Sequence, residues 1–348
     1  MSARGFSLVP LCAWIGLTCA PGLLVGQNKA ADLLRLSAPH YQSHFPALDI
    51  PYYGVRVWDK NYLIAYAFEG TFKASPGKPA VALYDREGRM ALQAVVWFKD
   101  AESVSIGDAA VSKAGKLLVS GGTHNHAGVV ANFIAEIDDT GHVGRVIRTT
   151  PFRSEHICAA DDGTVWSYGF DRDEKLEDVP GSLMLRQFSF DKGQLRAVLD
   201  EFRASDPRWL THGRYPGEIS LRCTSQKVGI YNAAVSEWAE FDIASNKLTV
   251  TKIQPLPTIR QMRITGFALT EAGDVFVSLH DRSSEPPRSG LFTLSLDSSG
   301  LGHWVPVKDA VGPYLHGAPV GQLLGTDGQE LIYTRELDGM AHWSKYSK

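Results

Sequence analysis

A strand–turn–strand pattern recurs along this chain of 348 residues. Its clearest copy is ADDGTVWSYG at 160–169, in which an acidic pair and a glycine form a tight turn. The residues after the turn alternate between apolar and small polar side chains, as in a half-buried strand. A period of roughly 45–65 residues is typical of four-stranded units repeated around an axis. Further copies begin at Asp108, Leu221 and Gly266, and looser ones at Val55 and Val320.

A second motif falls between the copies of the first. An aspartate at the end of an alternating strand is followed by a turn at Asp85, Asp138, Asp191, Asp242 and Asp297. Such an aspartate accepts hydrogen bonds from the backbone amides of its own turn and closes a hairpin. The same turn chemistry accounts for Asp161 and Asp162. We interpret these two residues as structural and not as a catalytic carboxylate pair.

Together the two motifs predict an all-β fold, a six-bladed β-propeller formed by residues 52–348. The blades start near residues 54, 104, 153, 218, 262 and 318. The last blade lacks its fourth strand, because its third strand, MAHWSKYS at 340–347, ends the chain. We expect the N-terminal segment 28–51 to supply that strand and to close the ring, since closure removes exposed sheet edges.

The turn sequence DDGTVW and its weaker copies resemble the blades of NHL-repeat propellers and of the periplasmic sensor propellers of two-component regulators. The resemblance covers residues 52–348 and implies a six-bladed architecture without a particular function. Sialidase Asp boxes use a related turn, but their Ser-x-Asp-x-Gly-x-Thr-Trp order is not met here. Lactonase-like propellers hold a central divalent metal, and no motif in this chain places that set of ligands.

The first 27 residues differ in character from the rest. Arg4 precedes an uncharged run from Phe6 to Gln27, and this order of a positive end, an apolar stretch and small residues is that of an export signal. We expect residues 1–27 to direct export to the periplasm or the medium and to be removed. The alternative is an uncleaved anchor, because the run is long enough to span a bilayer. Pro10 and Pro21 oppose a continuous spanning helix.

Charge and composition narrow the range of partners. The formal net charge is −3 at pH 7, and no run of Lys or Arg forms a phosphate-binding stripe. Nucleic acid is therefore not an expected partner. No second segment has the length and hydrophobicity of a membrane span, so we expect no span in the mature chain. We also expect the mature chain to be a monomer.

Two of the four cysteines lie in the export segment, which leaves Cys158 and Cys223 in the mature chain. They hold equivalent positions in adjacent blades. Because sheets packed face to face lie about 10 Å apart, beyond ordinary disulfide reach, we expect two buried free thiols.

Polar residues in the first strand of each blade are candidates for chemistry, because these strands line the channel of a propeller. Four stand out, Asp108, Glu155, His156 and Arg222. Asp108 and His156 hold equivalent positions in neighbouring blades, and a contact between them would tune a general base. Adjacent residues of a regular strand point to opposite faces, so Glu155 and His156 are not expected to face the channel together. A hydrogen-bonded pair lining a watery channel is the alternative.

The rim of the propeller supplies the candidate binding residues. They are His124, His126, Trp209, Arg214, His280 and Asp281. Two imidazoles two residues apart in an extended segment can share a face, so His124 and His126 are candidate ligands of zinc or copper, with His280 and His316 as further ligands. An exposed polar loop is the alternative, because an H-x-H sequence alone does not define a metal site.

These features predict an exported propeller that binds a small molecule, a glycan or a protein on its rim and catalyses no reaction. The lack of a nucleophile elbow, a metal motif or a phosphate loop in the sequence favours this interpretation. The alternative is a hydrolase or lactonase-type enzyme that uses the polar channel residues. No cofactor is predicted, although a divalent metal is compatible with the enzyme.

Overall fold

A computed structural model describes residues 34–49, 55–66, 78–179, 181–198, 219–254, 262–282, 287–313, 319–335 and 339–347. Within these residues the regular structure is β, apart from a single 3-10 turn at Pro46–Leu48. The predicted all-β, propeller-type architecture is confirmed. Residues 1–27 lie outside the described part of the chain, and no helix within that part is long and apolar enough to span a bilayer.

Two short strands, β1 (Arg35–Leu36) and β2 (Tyr41–His44), precede four separate four-stranded sheets. Sheet I comprises β3 (Val55–Asp59), β4 (Tyr62–Tyr66), β5 (Ala80–Tyr84) and β6 (Met90–Val95). Sheet II comprises β7 (Ser103–Val111), β8 (Leu117–His124), β9 (Val130–Ile137) and β10 (Val143–Arg148). Sheet III comprises β11 (Phe152–Ala159), β12 (Val165–Asp171), β13 (Leu185–Ser189) and β14 (Gly193–Val198). Sheet IV comprises β15 (Ile219–Cys223), β16 (Lys227–Asn232), β17 (Glu237–Asp242) and β18 (Lys247–Lys252).

The remaining strands form a larger sheet that includes the two N-terminal strands. They are β19 (Met262–Leu269), β20 (Val275–Asp281), β21 (Arg288–Leu296), β22 (Gly302–Pro313), β23 (Gln322–Asp327), β24 (Glu330–Thr334) and β25 (Met340–Ser347). Strand β1 lies between β22 and β25, parallel to the first and antiparallel to the second. Strand β2 pairs antiparallel with β25 and places Tyr41 opposite Trp343. The pairing expected between the N-terminal segment and residues 340–347 is therefore present.

The acidic pair of the clearest repeat serves the turn between β11 and β12. The Asp162 carboxylate accepts hydrogen bonds from the amide and the hydroxyl of Thr164, at 2.9 and 2.6 Å. The Asp161 carboxylate instead forms ion pairs with Lys60 of sheet I and Lys113 of sheet II, at 3.5 and 3.0 Å. Both aspartates have structural partners, but only Asp162 has the predicted turn hydrogen bonds, whereas Asp161 links its turn to sheets I and II.

Four of the five aspartate turns have the predicted hydrogen bonds. Backbone amides of the turn donate to the carboxylate at 2.7–3.0 Å at Asp85, Asp138, Asp242 and Asp297. The prediction is wrong at Asp191, whose carboxylate pairs with Arg145 at 3.4 Å and, within the described residues, accepts no amide of its turn. Asp191 stands one residue closer to the turn glycine than in the Asp-x-x-Gly turns. The shorter turn leaves no amide within reach of its carboxylate.

The apolar core lies between neighbouring sheets and, within the described residues, divides into six clusters. Three lie between sheets I and II, II and III, and III and IV. The others lie between sheet IV and β19–β22, between β19–β22 and β23–β25, and between β23–β25 and sheet I. In the last, the fully buried Phe45 ring lies 6.4 Å from the Trp58 ring and 6.3 Å from the Trp343 ring. Burial of one such side chain stabilises the fold by roughly 1.5–3 kcal/mol.

The first strands of most successive units lie side by side, and we call β3, β7, β11, β15, β19 and β23 the inner strands. Contacts join β7 to β11, β11 to β15, β15 to β19, β19 to β23, and β23 to β3. Polar side chains fasten neighbouring units together. The Asp59 carboxylate accepts the Val111 amide at 2.7 Å, and the Ser278 hydroxyl accepts the Leu323 amide at 2.9 Å.

The prediction of two free thiols is wrong, because Cys158 of β11 and Cys223 of β15 form a disulfide. Their Cα atoms are 5.5 Å apart, well below the spacing of about 10 Å that separates sheets packed face to face. Most contacts between neighbouring units involve the inner strands, so the spacing of sheets packed face to face does not apply to residues on these strands. The disulfide joins sheet III to sheet IV.

Candidate functional site at the inner strands

Asp108 of β7 is the least exposed carboxylate among the described residues, with 7% of its surface exposed. Its Oδ1 accepts the Ala109 amide at 2.8 Å and the Tyr66 hydroxyl at 2.9 Å. Its Oδ2 accepts the Ile157 amide of β11 at 3.0 Å. These hydrogen bonds compensate for the water that the carboxylate loses on burial. Asp108 thereby joins sheet II to sheets I and III.

His156 of β11 lies next to this carboxylate, as the sequence predicted. Its Nδ1 is 3.5 Å from Oδ2 of Asp108, within ion-pair range but longer than a good hydrogen bond. Burial alone would raise the pKa of Asp108, but the contact with His156 and the charge of Arg222 hold the pKa below its ordinary value of 3.8. The imidazole is 32% exposed. Because Nδ1 faces the carboxylate, Nε2 is the nitrogen available to a ligand.

A β-bulge separates Glu155 from this contact. The pairing of β11 with β12 shifts between Ser154 and His156, so Glu155 is the extra residue of a bulge. Strand β7 has the same shift immediately before Asp108, which explains why the two contacting residues hold equivalent positions. The Glu155 carboxylate forms an ion pair with Arg153 of its own strand. Glu155 is therefore not part of the contact that we describe for Asp108.

Arg222 of β15 brings a positive charge to the same region. Its charge counteracts the rise in the pKa of Asp59 and of Tyr66 in sheet I, and it lowers the pKa of Asp108 in sheet II. Neither sheet is next to sheet IV in the series of inner strands, so this charge acts across the centre. Arg222 Nη1 donates to the Leu221 carbonyl at 2.8 Å. Its Nε is buried and has no hydrogen-bond partner among the described residues.

Asp59 and Tyr66 belong to this cluster, and the sequence analysis missed them. Burial raises the pKa of Asp59 above 3.8, although the Val111 amide and the charge of Lys60 oppose the rise. Burial, followed by the charge of Asp108, raises the pKa of Tyr66 well above 10.0. Asp59 could have been found, because most other copies of the repeat have a small or apolar residue at that strand end. Tyr66 lies on a second strand, where the sequence gives no such signal.

The two histidines of the H-x-H sequence lie on the surface. His124 ends β8, and His126 Nδ1 is 3.7 Å from a Glu102 carboxylate oxygen. Asn125 between them accepts the Ala127 and Val129 amides at 3.0 and 2.9 Å, so its role is that of a turn residue. In the described part of the chain, no group of three or more His, Cys, Asp or Glu side chains is placed to hold a metal ion.

Two of the remaining candidates lie on the sheet that follows sheet IV. His280 and Asp281 end β20, and His280 Nδ1 lies 2.6 Å from the Ser289 hydroxyl on the neighbouring β21. Trp209, Arg214 and His316 lie outside the described residues. Of the candidates in the described part of the chain, the structure brings Asp108 and His156 into contact and places Asp108 under the influence of the Arg222 charge.

The fold and its polar centre define a propeller-type β protein. No family model and no curated protein matches the chain. Among solved structures, the chain is similar to the periplasmic gluconolactonase of Pseudomonas aeruginosa, with 11% identity over 83% of this chain and 82% of that one, at a TM-score of 0.42. It is also similar to a luciferin-regenerating enzyme, with 11% identity over 88% of this chain and 95% of that one, at 0.45. The GH43_1 enzyme from Xanthomonas citri shares 14% identity over 76% of this chain and 93% of its own, at 0.40. Similarities of this size carry no argument about function.

Proposed function

We propose that this protein is an exported, six-bladed β-propeller that binds a small polar ligand in its central channel, against Asp108, His156 and Arg222. The observation that carries the proposal is the contact of His156 Nδ1 with Asp108 Oδ2 at 3.5 Å, next to the charge of Arg222, which lowers the pKa of that carboxylate. A polar cluster of this kind at the centre of a fold is where ligand sites occur. The rim residues of the sequence prediction then serve as the entrance and not as the main site.

Three observations support a ring of six blades. The described core has six clusters, one between each pair of neighbouring four-stranded units. The inner strand β23 contacts the inner strand β3, which joins the end of the series to its beginning. Strand β2 pairs with β25 in the position of a fourth strand.

The disulfide between Cys158 and Cys223 supports export, because disulfides persist in oxidising compartments such as the periplasm. Fractionation of bacterial cells that express the full chain tests this part of the proposal. We expect the protein in the periplasm, with a mass that corresponds to loss of residues 1–27. Full-length protein in the membrane fraction would favour the uncleaved anchor.

Ligand binding is testable with a thermal-shift screen of neutral, cationic and anionic metabolites. A bound compound at ten times its Kd stabilises the folded state by about 1.4 kcal/mol and raises the melting temperature by about 2 °C for a protein of this size. Compounds that stabilise the wild type are then tested on Arg222→Gln and on Arg89→Gln, an exposed arginine of an aspartate turn. We expect the stabilisation to disappear in Arg222→Gln only. A screen without any stabilising compound, or equal loss in both variants, contradicts a channel site.

A second candidate function is hydrolysis of a lactone or an ester, and the contact between His156 and Asp108 favours it. A carboxylate beside Nδ1 orients the imidazole and leaves Nε2 to accept a proton from water. Hydrolysis of simple lactones and p-nitrophenyl esters by the wild type and by His156→Gln tests this function. We expect a fall of about 10²–10⁴-fold in the variant. An unchanged rate, or no hydrolysis by the wild type, excludes this role for His156.

A further inference from the structure

The side chain of Arg222 has a hydrogen-bond donor, Nε, that no group in the described part of the chain accepts. Nη1 donates to the Leu221 carbonyl, and Nε is buried without a partner among the described residues. None of the ion pairs of the inner strands in that part of the chain includes Arg222. A buried donor without an acceptor costs free energy, so this guanidinium favours any ligand that supplies an acceptor.

The nearby carboxylates are committed to other donors. Asp59 accepts the Val111 amide, and Asp108 accepts the Tyr66 hydroxyl and two backbone amides. Both carboxylates act on Arg222 through charge alone, without a contact in ion-pair range among the described residues. Arg222 therefore has no carboxylate partner in the described part of the chain, and its Nε is left for an acceptor from outside the protein.

We propose that the channel ligand is a monocarboxylate and that Arg222 binds its carboxylate group. This inference rests on the proposed function and specifies the ligand. Nε and Nη2 form the edge of the guanidinium that Nη1 leaves open, and two parallel N–H groups match the two oxygens of a carboxylate. His156 Nε2 is a second polar contact for the rest of the ligand.

The charge of the site favours one negative charge over two. Arg222 contributes one positive charge, while Asp108 keeps its negative charge because its pKa is lowered. A phosphate group has a charge of about −1.5 to −2 at pH 7. The Asp108 carboxylate would repel it, and the single positive charge of Arg222 would not offset that repulsion. A carboxylate adds a single charge and fits the planar fork of the arginine.

Matched pairs of an acid and its amide provide the test: lactate with lactamide, benzoate with benzamide, and glucuronate with glucuronamide. Each compound is titrated by calorimetry up to 50 mM into the wild type, Arg222→Gln, Arg222→Lys and the control Arg89→Gln. We expect at least one acid to bind the wild type and Arg89→Gln at least about 10-fold more tightly than its amide, because hydrogen bonds between charged partners are the stronger ones. The preference should vanish in Arg222→Gln and weaken in Arg222→Lys, which keeps the charge without the fork. Thermal unfolding of each variant shows whether it is folded.

Each other outcome overturns the inference. Equal affinity for acid and amide, or a preference that survives in Arg222→Gln, excludes Arg222 as the carboxylate site but leaves channel binding intact. Inorganic phosphate that displaces the acid with similar affinity excludes the restriction to one charge. If no acid binds, the inference fails. The proposed function would still be supported if a neutral compound from the screen binds the wild type and this binding requires His156.

Discussion

Cys158 and Cys223 join the inner strands of sheets III and IV through a disulfide that spans 65 residues of sequence. Closure of a loop of this length reduces the entropy of the unfolded chain and stabilises the native state by about 2–4 kcal/mol. We expect reduction of the disulfide to lower the free energy of unfolding by that amount. Urea denaturation of the wild type with and without reductant measures it.

The double variant Cys158→Ser/Cys223→Ser is the control for this experiment. It should be as unstable as the reduced wild type, and reductant should leave it unchanged. If peptide mapping of the non-reduced protein shows two free thiols at these positions, the link between sheets III and IV is absent.

Removal of the Asp108 carboxylate should destabilise the protein strongly. Asp108→Ala removes the acceptor of the Ile157 amide and the 2.9 Å acceptor of the Tyr66 hydroxyl, and unsatisfied buried donors cost about 1–3 kcal/mol each. We expect a loss of about 3 kcal/mol in urea denaturation. Asp139→Ala is the matched control, because Asp139 is 84% exposed and pairs only with Lys116, and such pairs contribute about 0–1 kcal/mol. Equal effects of the two variants would show that Asp108 does not fasten the inner strands.

The aspartate turns should make the protein sensitive to acid. Hydrogen bonds from Thr140 and the His142 amide lower the pKa of Asp138, and those from Ser299 and His303 lower the pKa of Asp297. An aspartate whose pKa is lowered by folding stabilises the protein at pH values above its ordinary pKa of 3.8. This stabilisation is lost as the pH falls from 3.8 towards the pKa of the folded state. The free energy of unfolding should therefore decrease between about pH 5 and pH 2.

The double variant Asp138→Asn/Asp297→Asn should show a shallower decrease, since it has two fewer carboxylates to protonate. Asp59→Asn provides the opposite control. Because the pKa of Asp59 is raised in the folded state, protonation of its carboxyl group in acid favours the folded state over the unfolded one. Asp59→Asn lacks this gain, so its free energy of unfolding should fall more steeply in acid. An identical pH profile in all three proteins would contradict these assignments.

Much of the fold was predictable because the turn residues recur at the spacing of the four-stranded units. The strand–turn–strand copies and the aspartate turns predicted an all-β propeller-type fold, and β2 pairs with β25 as the incomplete last unit required. The position of β1 between β22 and β25 was not predictable, because a strand of two residues leaves no periodic pattern. Asp191 follows an alternating strand as the other turn aspartates do, but its turn is one residue shorter and lacks the predicted hydrogen bonds to the carboxylate.

The candidate site was predictable in part. Equivalent positions in the repeat identified the contact of Asp108 with His156 from sequence alone, because neighbouring repeats place equivalent residues side by side. Cys158 and Cys223 also hold equivalent positions, but their disulfide was not predicted. The prediction assumed the spacing of sheets packed face to face, whereas the Cα atoms of these two inner-strand residues are 5.5 Å apart. Tyr66 and the role of Arg222 depend on contacts across the centre, and no spacing along the chain encodes those.

A ring completed by the N-terminal segment is essential to the proposed site, because a central channel exists only if the ring is closed. Hydrogen exchange of the intact protein, followed by mass spectrometry of peptides that contain Tyr41–His44, tests this directly. The account predicts that the amides of β2 are protected as strongly as those of β25, with which they pair. Exchange of β2 within seconds, while β25 stays protected, would show that the N-terminal segment does not complete the last blade.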